Sequence, residues 1–244
     1  MQPIFLSVIV PVYNEAARLT DSLPQLLAYL ATHVPSYEVL IVDDGSDDDT
    51  SGVARRLAVD NERVRVLRDE VNYGKGYAVQ QGMLAATGHL LLFTDADLST
   101  PIDEVACLLA AFDEGYDVAI GSRKIAGADV QVHQRPLREW LGKGFTWLTN
   151  VLVTGNLSDI TCGFKAFRQP VARDLFAVQR LYDWSFDAEI LFLAQRRGYR
   201  IKEVPVRWRN DPRTKVNLLR DIVRSFFGLI RIRWNDWNGQ YNRP

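Results

Sequence analysis

Short apolar runs alternate with segments of helical period through the first half of the chain. The runs are rich in Val, Ile and Leu at consecutive positions, as in parallel strands that are buried on both faces. They predict strands at residues 6–12, 38–42, 64–67, 90–94 and 117–121. Helical periodicity between the runs predicts helices at 16–31, 49–60, 76–86 and 102–112. This order is typical of a single α/β domain with a mostly parallel central sheet.

Beyond residue 121 two long amphipathic segments, 138–153 and 217–234, flank a predicted helix at 185–197 and a predicted strand at 200–206. In the last segment the apolar residues share one broad helical face, formed by Leu218, Leu219, Ile222, Val223, Phe226, Leu229 and Ile230. The opposite side carries Arg220, Arg224 and Arg231, with Phe227 among them. Such a helix is typical of a membrane surface, and we expect both segments, 138–153 and 217–234, to lie against one. Packing on the domain or in a homo-oligomer is the alternative. We expect one domain over 1–210, and a basic loop with this amphipathic helix over 211–244.

Composition excludes some classes of function. The 244 residues carry a formal net charge of −1, so the chain lacks the broad positive field of nucleic-acid binders, and we predict no nucleic-acid partner. Only Cys107 and Cys162 are cysteines, which favours a reducing compartment such as the cytoplasm. The sequence shows neither a signal-peptide pattern nor an uninterrupted apolar stretch of about 18 residues, so we expect no membrane span.

Acidic residues follow two of the predicted strands. Asp43 and Asp44 end the second strand, and Asp95 and Asp97 follow the fourth. In an extended backbone residues i and i+2 point to the same side, so Asp95 and Asp97 can converge on one cation. Mg²⁺ or Mn²⁺ prefers carboxylate oxygens and shares its other positions with phosphate and water. Each Asp-rich turn alone would be a structural cap, but two at one sheet edge favour a metal and nucleotide site.

A glycine-rich segment, NYGKG at 72–76, precedes the third predicted helix and permits close approach of a ligand. The position directly after the first strand reads PVYNEAARL and contains no glycine. A dinucleotide-binding dehydrogenase would need G-x-G-x-x-G there, and a Walker A pattern is missing as well. The sequence therefore disfavours both a Rossmann dehydrogenase and a P-loop NTPase.

Five ordered motifs carry a family resemblance: PVYNE at 11–15, VDDGS at 42–46, NYGKG at 72–76, DADLSTP at 95–101 and GSR at 121–123. Together they resemble the inverting GT-A glycosyltransferases of family 2. Three later motifs, DITCGFKAF at 159–167, WSFDAEIL at 184–191 and EVPVRW at 203–208, resemble the dolichyl-phosphate β-glucosyltransferase branch and its polyprenyl-phosphate relatives. Many members of that branch begin with a membrane anchor, whereas this sequence begins at the first strand, which implies a soluble or peripheral version.

The resemblance implies roles for individual residues. The donor nucleotide-sugar is expected to bind Pro11, Tyr13, Glu15, Asp43, Asp44, Asn72, Gly74, Lys75, Asp95, Ala96, Arg213 and Lys215. Asp95 and Asp97 are the expected metal ligands, and Ser99 stands where the mannosyl branch often has glutamine. The acceptor phosphate is expected to meet Arg123, Arg138 and Lys165, with Arg135 as an alternative. The expected catalytic residues are Asp95, Asp97, Arg123 and Asp187.

The implied reaction transfers glucose from UDP-glucose to a dolichyl or polyprenyl phosphate with inversion, at the cytoplasmic face of a membrane. The alternatives are a GDP-mannose-dependent enzyme and a family 2 enzyme acting on a polysaccharide or soluble acceptor; a nucleotidyltransferase or a non-catalytic binding module fits the motifs less well. A phosphate acceptor is already ionised near neutral pH and needs cations more than a base. Asp187 is therefore either a base or a residue that orients Lys165. We expect Trp140, Trp147, Trp184 and Trp208 to fill the core or an interface.

Overall fold

The computed structural model describes residues 3–59, 61–132, 136–211 and 218–242; for 136–139 and 218–223 it describes the backbone alone. Two sheets are formed by β1 Leu6–Val12, β2 Tyr37–Asp43, β3 Val64–Arg68, β4 Leu90–Thr94, β5 Val118–Ser122, β6 Asp129–Val132, β7 Phe164–Arg168, β8 Ile201–Pro205 and β9 Arg207–Arg209. The helices are α1 Ala16–His33, α2 Thr50–Ala58, α3 Lys75–Ala85, α4 Val105–Asp113, α5 Pro136–Thr149, α6 Gln169–Phe176, α7 Phe186–Arg196 and α8 Leu218–Trp237.

The central sheet has seven strands in the order β3-β2-β1-β4-β7-β5-β8, and β6 pairs with β9 in a small separate ladder. All of its pairings are parallel except those of β7, which runs antiparallel to β4 and β5. The predicted α/β class with a mostly parallel sheet is confirmed. The pattern of apolar residues does not predict β7 or α6. Because β7 is antiparallel, its amino-terminal end lies at the edge where the parallel strands end.

Helices cover both faces of the sheet because alternate strand residues face opposite sides. Ile9 belongs to one buried cluster, with residues of α3, α6, α7 and α8, whereas Val8 and Val10 belong to another, with residues of α1 and α4. A 3₁₀ turn, Ile102–Glu104, leads into α4, and a π-helical turn, Asn150–Thr154, follows α5. Within the described ranges no helix is long and apolar enough to cross a bilayer.

The last helix, α8, is anchored in the core. Leu229 and Ile232 are fully buried, as is Tyr241 beyond the helix end. The predicted single apolar face is therefore divided in the structure, because Leu229 faces the domain while Phe226 and Ile230 are exposed. The domain boundary at residue 210 stays a prediction.

Candidate active site

A cavity of about 620 Å³ opens at the carboxyl ends of the parallel strands. It lies at the neighbouring ends of β1 and β4, where the strand order reverses: the chain continues from β1 to β2 in one direction along the sheet and from β4 to β5 in the other. Open α/β sheets bind ligands at such a point. Most of the predicted site residues line it: Pro11, Tyr13, Glu15, Asp44, Asn72, Gly74, Lys75, Asp95, Ala96, Asp97 and Arg123. Residues 212–217, which include Arg213 and Lys215, lie outside the described part of the chain, as do Arg135 and the side chain of Arg138.

Asp44 shapes the β2 end of the cavity. Its two carboxylate oxygens accept hydrogen bonds from the backbone N–H groups of Tyr73 and Gly74, both at 2.8 Å. Gly74 has a φ of 114°, and a Cβ there would lie 2.5 Å from the carbonyl oxygen of Tyr182. Burial raises the pKa of Asp44 although both N–H groups oppose the shift. The NYGKG segment is therefore clamped between Asp44 and the loop that precedes α7.

Asp43 lies next to Asp44 but not in the cavity wall. Its side chain is fully buried and accepts hydrogen bonds from the Ser46 N–H at 3.0 Å and from the Ser51 hydroxyl. These contacts close the turn between β2 and α2. The structure thus places Asp43 beneath the predicted donor site, where it supports Asp44 rather than facing a ligand.

Asp95 and Asp97 lie side by side at the end of β4, on the floor of the cavity. The N–H of Ser99 donates to Asp97 Oδ1 at 2.9 Å across Leu98, whose φ of 46° bends the chain there. Lys75 Nζ donates to Asp95 Oδ1 at 2.5 Å. Burial, and then the negative charge of Asp95, raises the pKa of Asp97.

This donor set fits a divalent cation, because a bound positive charge would relieve the repulsion between two neighbouring carboxylates. Among the described residues no cluster of three or more His, Cys, Asp or Glu side chains could hold a metal ion. The remaining coordination positions would therefore have to come from the donor diphosphate and water.

Arg123 occupies the far end of the cavity, where β5 ends. Its Nε donates to Asp159 Oδ2 at 2.6 Å and one terminal nitrogen donates to Oδ1 at 2.8 Å, and the same nitrogen lies 3.0 Å from the Thr161 hydroxyl. Burial alone would raise the pKa of Asp159, but Arg123 lowers it to about 2. The guanidinium carbon of Arg123 lies over the Trp208 ring, 5.2 Å from the ring centroid. Arg123 is thus a cation held in one orientation.

The structure does not bring Lys165 and Asp187 to the cavity wall. Lys165 Nζ donates to Asp187 Oδ1 at 2.5 Å and to the Cys162 carbonyl at 2.6 Å, and all three residues are buried. This geometry matches the structural alternative for Asp187, in which it orients Lys165. Neither residue lines the cavity. The roles of Lys165 as a phosphate ligand and of Asp187 as a base therefore stay predictions.

Several cavity residues were missed by sequence reasoning. Arg18 donates to Glu15 at 2.8 Å and to Asp211 at 3.2 Å, which ties the start of α1 to the residue before the segment 212–217. Asp183 and Trp184 also line the cavity. Trp184 is 42% exposed, so of the two predicted alternatives, core or interface, it does not fill the core. The WSFD motif was the available signal for Trp184, whereas nothing local marks Arg18.

With this geometry in place, comparison with known proteins decides the family. The sequence profile of glycosyl transferase family 2 matches residues 7–176. The chain belongs to glycosyl transferase family 2. The matched range contains the strands and turns that carry Asp44, Asp95, Asp97 and Arg123. The predicted family resemblance is confirmed, and the protein is a family 2 glycosyltransferase.

Relatives of this family 2 chain include several dolichyl-phosphate β-glucosyltransferases. It is 35% identical over 241 residues to dolichyl-phosphate β-glucosyltransferase ALG5C of Trichomonas vaginalis, covering 94% of this chain and 71% of that protein. It is 40% identical over 218 residues to the dolichyl-phosphate β-glucosyltransferase of Drosophila melanogaster, covering 83% of this chain and 66% of that protein. It is also 33% identical over 233 residues to glycosyltransferase AglD of Haloferax volcanii, covering 94% of this chain and 37% of that protein.

A solved structure shows the same fold. Glucosyl-3-phosphoglycerate synthase from Mycobacterium tuberculosis, crystallised with Mn²⁺, UDP-glucose and phosphoglyceric acid, superposes with a TM-score of 0.70 at 18% identity, covering 94% of this family 2 chain and 79% of that chain. At this identity the likeness concerns the fold alone.

Proposed function

We propose that this glycosyltransferase transfers glucose from UDP-glucose to a dolichyl or other polyprenyl phosphate, with inversion and with Mg²⁺ or Mn²⁺ as cofactor. The dolichyl-phosphate β-glucosyltransferases to which the chain is 32–40% identical support the donor sugar and the acceptor class. GDP-mannose is the alternative donor. The product would be a β-linked lipid-phosphate sugar.

The observation that carries the proposal is the placement of Arg123 within the same cavity as the acid pair. Asp44 lies at the β2 end, Asp95 and Asp97 lie at the β4 end, and Arg123 lies at the β5 end. An acceptor bound at Arg123 therefore meets the donor from the side opposite its nucleotide, as inversion requires. A fixed guanidinium suits a phosphate oxygen better than a sugar hydroxyl.

The acceptor would need little help from a base. A phosphate monoester has its second pKa near 6 and is largely a dianion at neutral pH. The buried position of Asp187 against Lys165 is consistent with a reaction that uses no base at that position. Cations at the acceptor, and at the leaving diphosphate, are then the main requirement.

A bound divalent cation would stabilise the negative charge that grows on the departing nucleoside diphosphate. Asp95 and Asp97 would hold it. Lys75 Nζ, which lies against Asp95, would add a positive charge beside the same diphosphate. The roles of Arg213 and Lys215 in neutralising the diphosphate remain part of the proposal.

A membrane surface would bring the enzyme to its lipid acceptor. The outward side of α8 carries exposed apolar side chains, which from Phe227 onward recur every three or four residues. They are Phe226, Phe227, Ile230, Trp234 and Trp237. Arg224 and Arg231 flank this stripe, and Arg224 also lines the cavity. On the neighbouring α5, Trp140 and Trp147 are 71% and 66% exposed. We call the stripe and these two tryptophans the aromatic face.

Aromatic rings beside arginines suit the headgroup region of a bilayer. The aromatic face thus supports peripheral binding, which we propose at the cytoplasmic face. Its position beside the cavity mouth, through Arg224, would let the phosphate of a membrane-embedded lipid reach Arg123.

A direct assay tests the proposed reaction. Purified protein is incubated with Mn²⁺, dolichyl phosphate and either UDP-glucose or GDP-mannose, and the lipid product is identified by mass spectrometry. We expect a hexosyl phosphodiester of dolichol from UDP-glucose. No product from either donor, or transfer to a soluble sugar alcohol in preference to dolichyl phosphate, would overturn the proposal.

Two variants test the acceptor site in the same assay. Arg123→Ala should raise the apparent KM for dolichyl phosphate at least about tenfold and leave UDP binding unchanged. Arg207→Ala is the matched control, because Arg207 pairs with Asp103 and Glu104 outside the cavity. If Arg123→Ala weakens UDP binding and spares the acceptor KM, the proposed orientation of the substrates is reversed.

A further inference from the structure

The loop between α6 and α7 forms one wall of the cavity. The roles proposed above place no substrate group against this wall. Asp183 and Trp184 lie in this wall beside Lys75, and the Lys75 ammonium lies 5.2 Å from the centroid of the Trp184 ring. Because the same ammonium contacts Asp95, the tryptophan ring lies close to the acid pair. The wall therefore borders the position that follows the diphosphate.

The order of strand ends fixes which part of the donor comes next. Moving across the sheet edge, the cavity passes Asp44 on β2, the β1 end, the acid pair on β4, and Gly163 just before β7, before it reaches Arg123 on β5. A nucleotide on β2 and β1 with its diphosphate at β4 leaves the transferred sugar at Gly163 and the α7 loop, between the diphosphate and the acceptor cation.

The chemistry of this wall suits a hexose. Trp184 offers a partly exposed aromatic face in an otherwise polar site, and such a face packs against the C–H groups of a sugar ring. Asp183 Oδ1 accepts the Ser185 N–H at 2.8 Å, and within the described part of the chain its Oδ2 has no hydrogen-bond donor. A carboxylate oxygen facing a cavity accepts hydroxyl protons well.

The other cavity carboxylates have partners that Asp183 lacks. Asp44 is held by two backbone N–H groups, Asp95 by Lys75, and Glu15 and Asp211 by Arg18. Asp97 is assigned to the metal. Among the described residues Asp183 is thus the cavity carboxylate best placed to receive hydroxyl groups.

The loop is held rigidly enough to act as a subsite. Buried Glu189 accepts the backbone N–H groups of Arg180 and Leu181, and the Tyr241 hydroxyl donates to it at 2.6 Å. On the other side, the Gly76 N–H donates to the Tyr182 carbonyl at 2.8 Å. A loop fixed at both ends presents its side chains without reorganisation when a ligand binds.

We propose that Asp183 and Trp184 form the subsite that recognises the transferred hexose, with Trp184 against the sugar ring and Asp183 Oδ2 accepting its hydroxyl groups. This inference rests on the proposed nucleotide-sugar donor. It makes these two residues determinants of which sugar is accepted, because a site built to hydrogen-bond hydroxyls rejects donors that present them differently.

The test compares two ligands that differ only in the sugar. Calorimetry measures the Kd of UDP and of UDP-glucose, each with Mn²⁺, for the wild type, Trp184→Ala and Asp183→Asn. We expect each variant to raise the Kd ratio of UDP-glucose to UDP by about fivefold to tenfold while the Kd of UDP stays within about twofold. Tyr182→Phe is the control in the same loop, since Tyr182 is not part of the cavity wall.

Three results would overturn the subsite. An unchanged Kd ratio in both variants removes the sugar contact. An equal weakening of UDP and UDP-glucose in Trp184→Ala means that the ring only supports Lys75. A loss of kcat in Asp183→Asn with unchanged donor affinity makes Asp183 a base for a hydroxyl acceptor.

Failure of the proposed function is visible separately, because the wild type would then bind neither UDP nor UDP-glucose. If the wild type binds GDP instead, the same comparison is made with GDP and GDP-mannose, and the same three results decide it.

Discussion

Gly163 and Lys75 hold Asp95 between them. A Cβ at position 163 would overlap the Asp95 carboxylate, whereas the Lys75 ammonium contacts it from the other side at 2.5 Å. These two contacts limit where the carboxylate can lie, and one of them is made by a glycine that comes just before β7. Position 163 has to remain without a side chain for the acid pair to keep its geometry.

We expect Gly163→Ala to lower kcat/KM at least about tenfold, because misplacing a metal ligand weakens the cation site. Gly144→Ala is the control, since a Cβ at that position in α5 meets nothing within 4 Å. The measurement is steady-state turnover together with Mn²⁺ affinity, with thermal melting to verify folding. Normal Mn²⁺ affinity and turnover in a folded Gly163→Ala protein would contradict this account.

The buried carboxyl group of Glu189 should make the free energy of unfolding depend on pH. Burial raises the pKa of Glu189 from 4.5 to about 7, against the hydrogen bonds from Tyr241 and the loop. Between these values the folded protein holds a proton that the unfolded chain releases, so the free energy of unfolding falls as pH rises from 4.5 to 7. The full effect is on the order of 3 kcal/mol.

Glu189→Gln keeps the side chain neutral and should flatten this pH dependence. Urea unfolding at several pH values between 5 and 8 measures it, and Glu114→Gln on the exposed surface is the control. An identical pH slope in wild type and Glu189→Gln would contradict the prediction.

Some of these residues were predictable and others were not, for a physical reason. Asp95 and Asp97 were predictable as cavity residues because they directly follow a buried strand of a mostly parallel sheet. The extended backbone expected for them is wrong, because the Leu98 N–H donates to the Asp95 carbonyl at 3.1 Å and closes a turn there. Asp159 and Arg18 pair with Arg123 and Asp211, which are far away in sequence, and a local pattern does not reveal such partners. Asp183 was missed because its place in the cavity wall depends on how distant segments pack together. The same limit applies to Asp43, which local pattern cannot distinguish from its neighbour Asp44.

At the scale of elements, α8 has two apolar sides. Ser225, Gly228, Leu229 and Ile232 face the domain, while the aromatic face points outward. Periodicity predicted this helix but not which side would be buried, because both sides are apolar. β7 was missed because the short run FKAFR contains two basic residues, yet it is buried almost throughout between β4 and β5.

Gly228 makes the contact between α8 and the start of α7. A Cβ there would overlap the Ser185 side chain, so Gly228→Ala should destabilise the protein by about 1–3 kcal/mol. Gly142→Ala in α5 is the matched control, since a Cβ there meets nothing within 4 Å, and it should stabilise by about 0.5–1 kcal/mol. Urea denaturation measures both, and equal effects would mean that α8 does not pack closely on Ser185.

At the scale of the whole molecule, α8 has two roles. It packs in the core, and it carries most of the aromatic face that we propose binds a membrane. Removal of α8 would open the core at Leu229 and Ile232, so a truncation would confuse unfolding with loss of membrane binding. Point changes on the outward side separate the two. A second copy of the chain is the competing occupant of the aromatic face.

We expect the protein to sediment with anionic liposomes at low salt, and the combined change of Trp147, Trp234 and Trp237 to Ser to abolish this while UDP binding survives. Val59→Ser, at an exposed apolar residue beyond α2, is the control. If the wild type does not bind liposomes, the prediction is wrong. If light scattering shows a dimer that the triple variant does not form, a second copy of the chain covers the aromatic face.

The contact between Lys75 and Asp95 has a consequence for the resting state of the enzyme between turnovers. The chain supplies a positive charge of its own to Asp95 through Lys75, so the site does not need a bound ion to balance that carboxylate. An enzyme built in this way can rest intact in a compartment where free manganese is scarce. Under the proposed function, we expect the ion to enter together with the sugar nucleotide, so that the free enzyme does not need to hold a metal of its own.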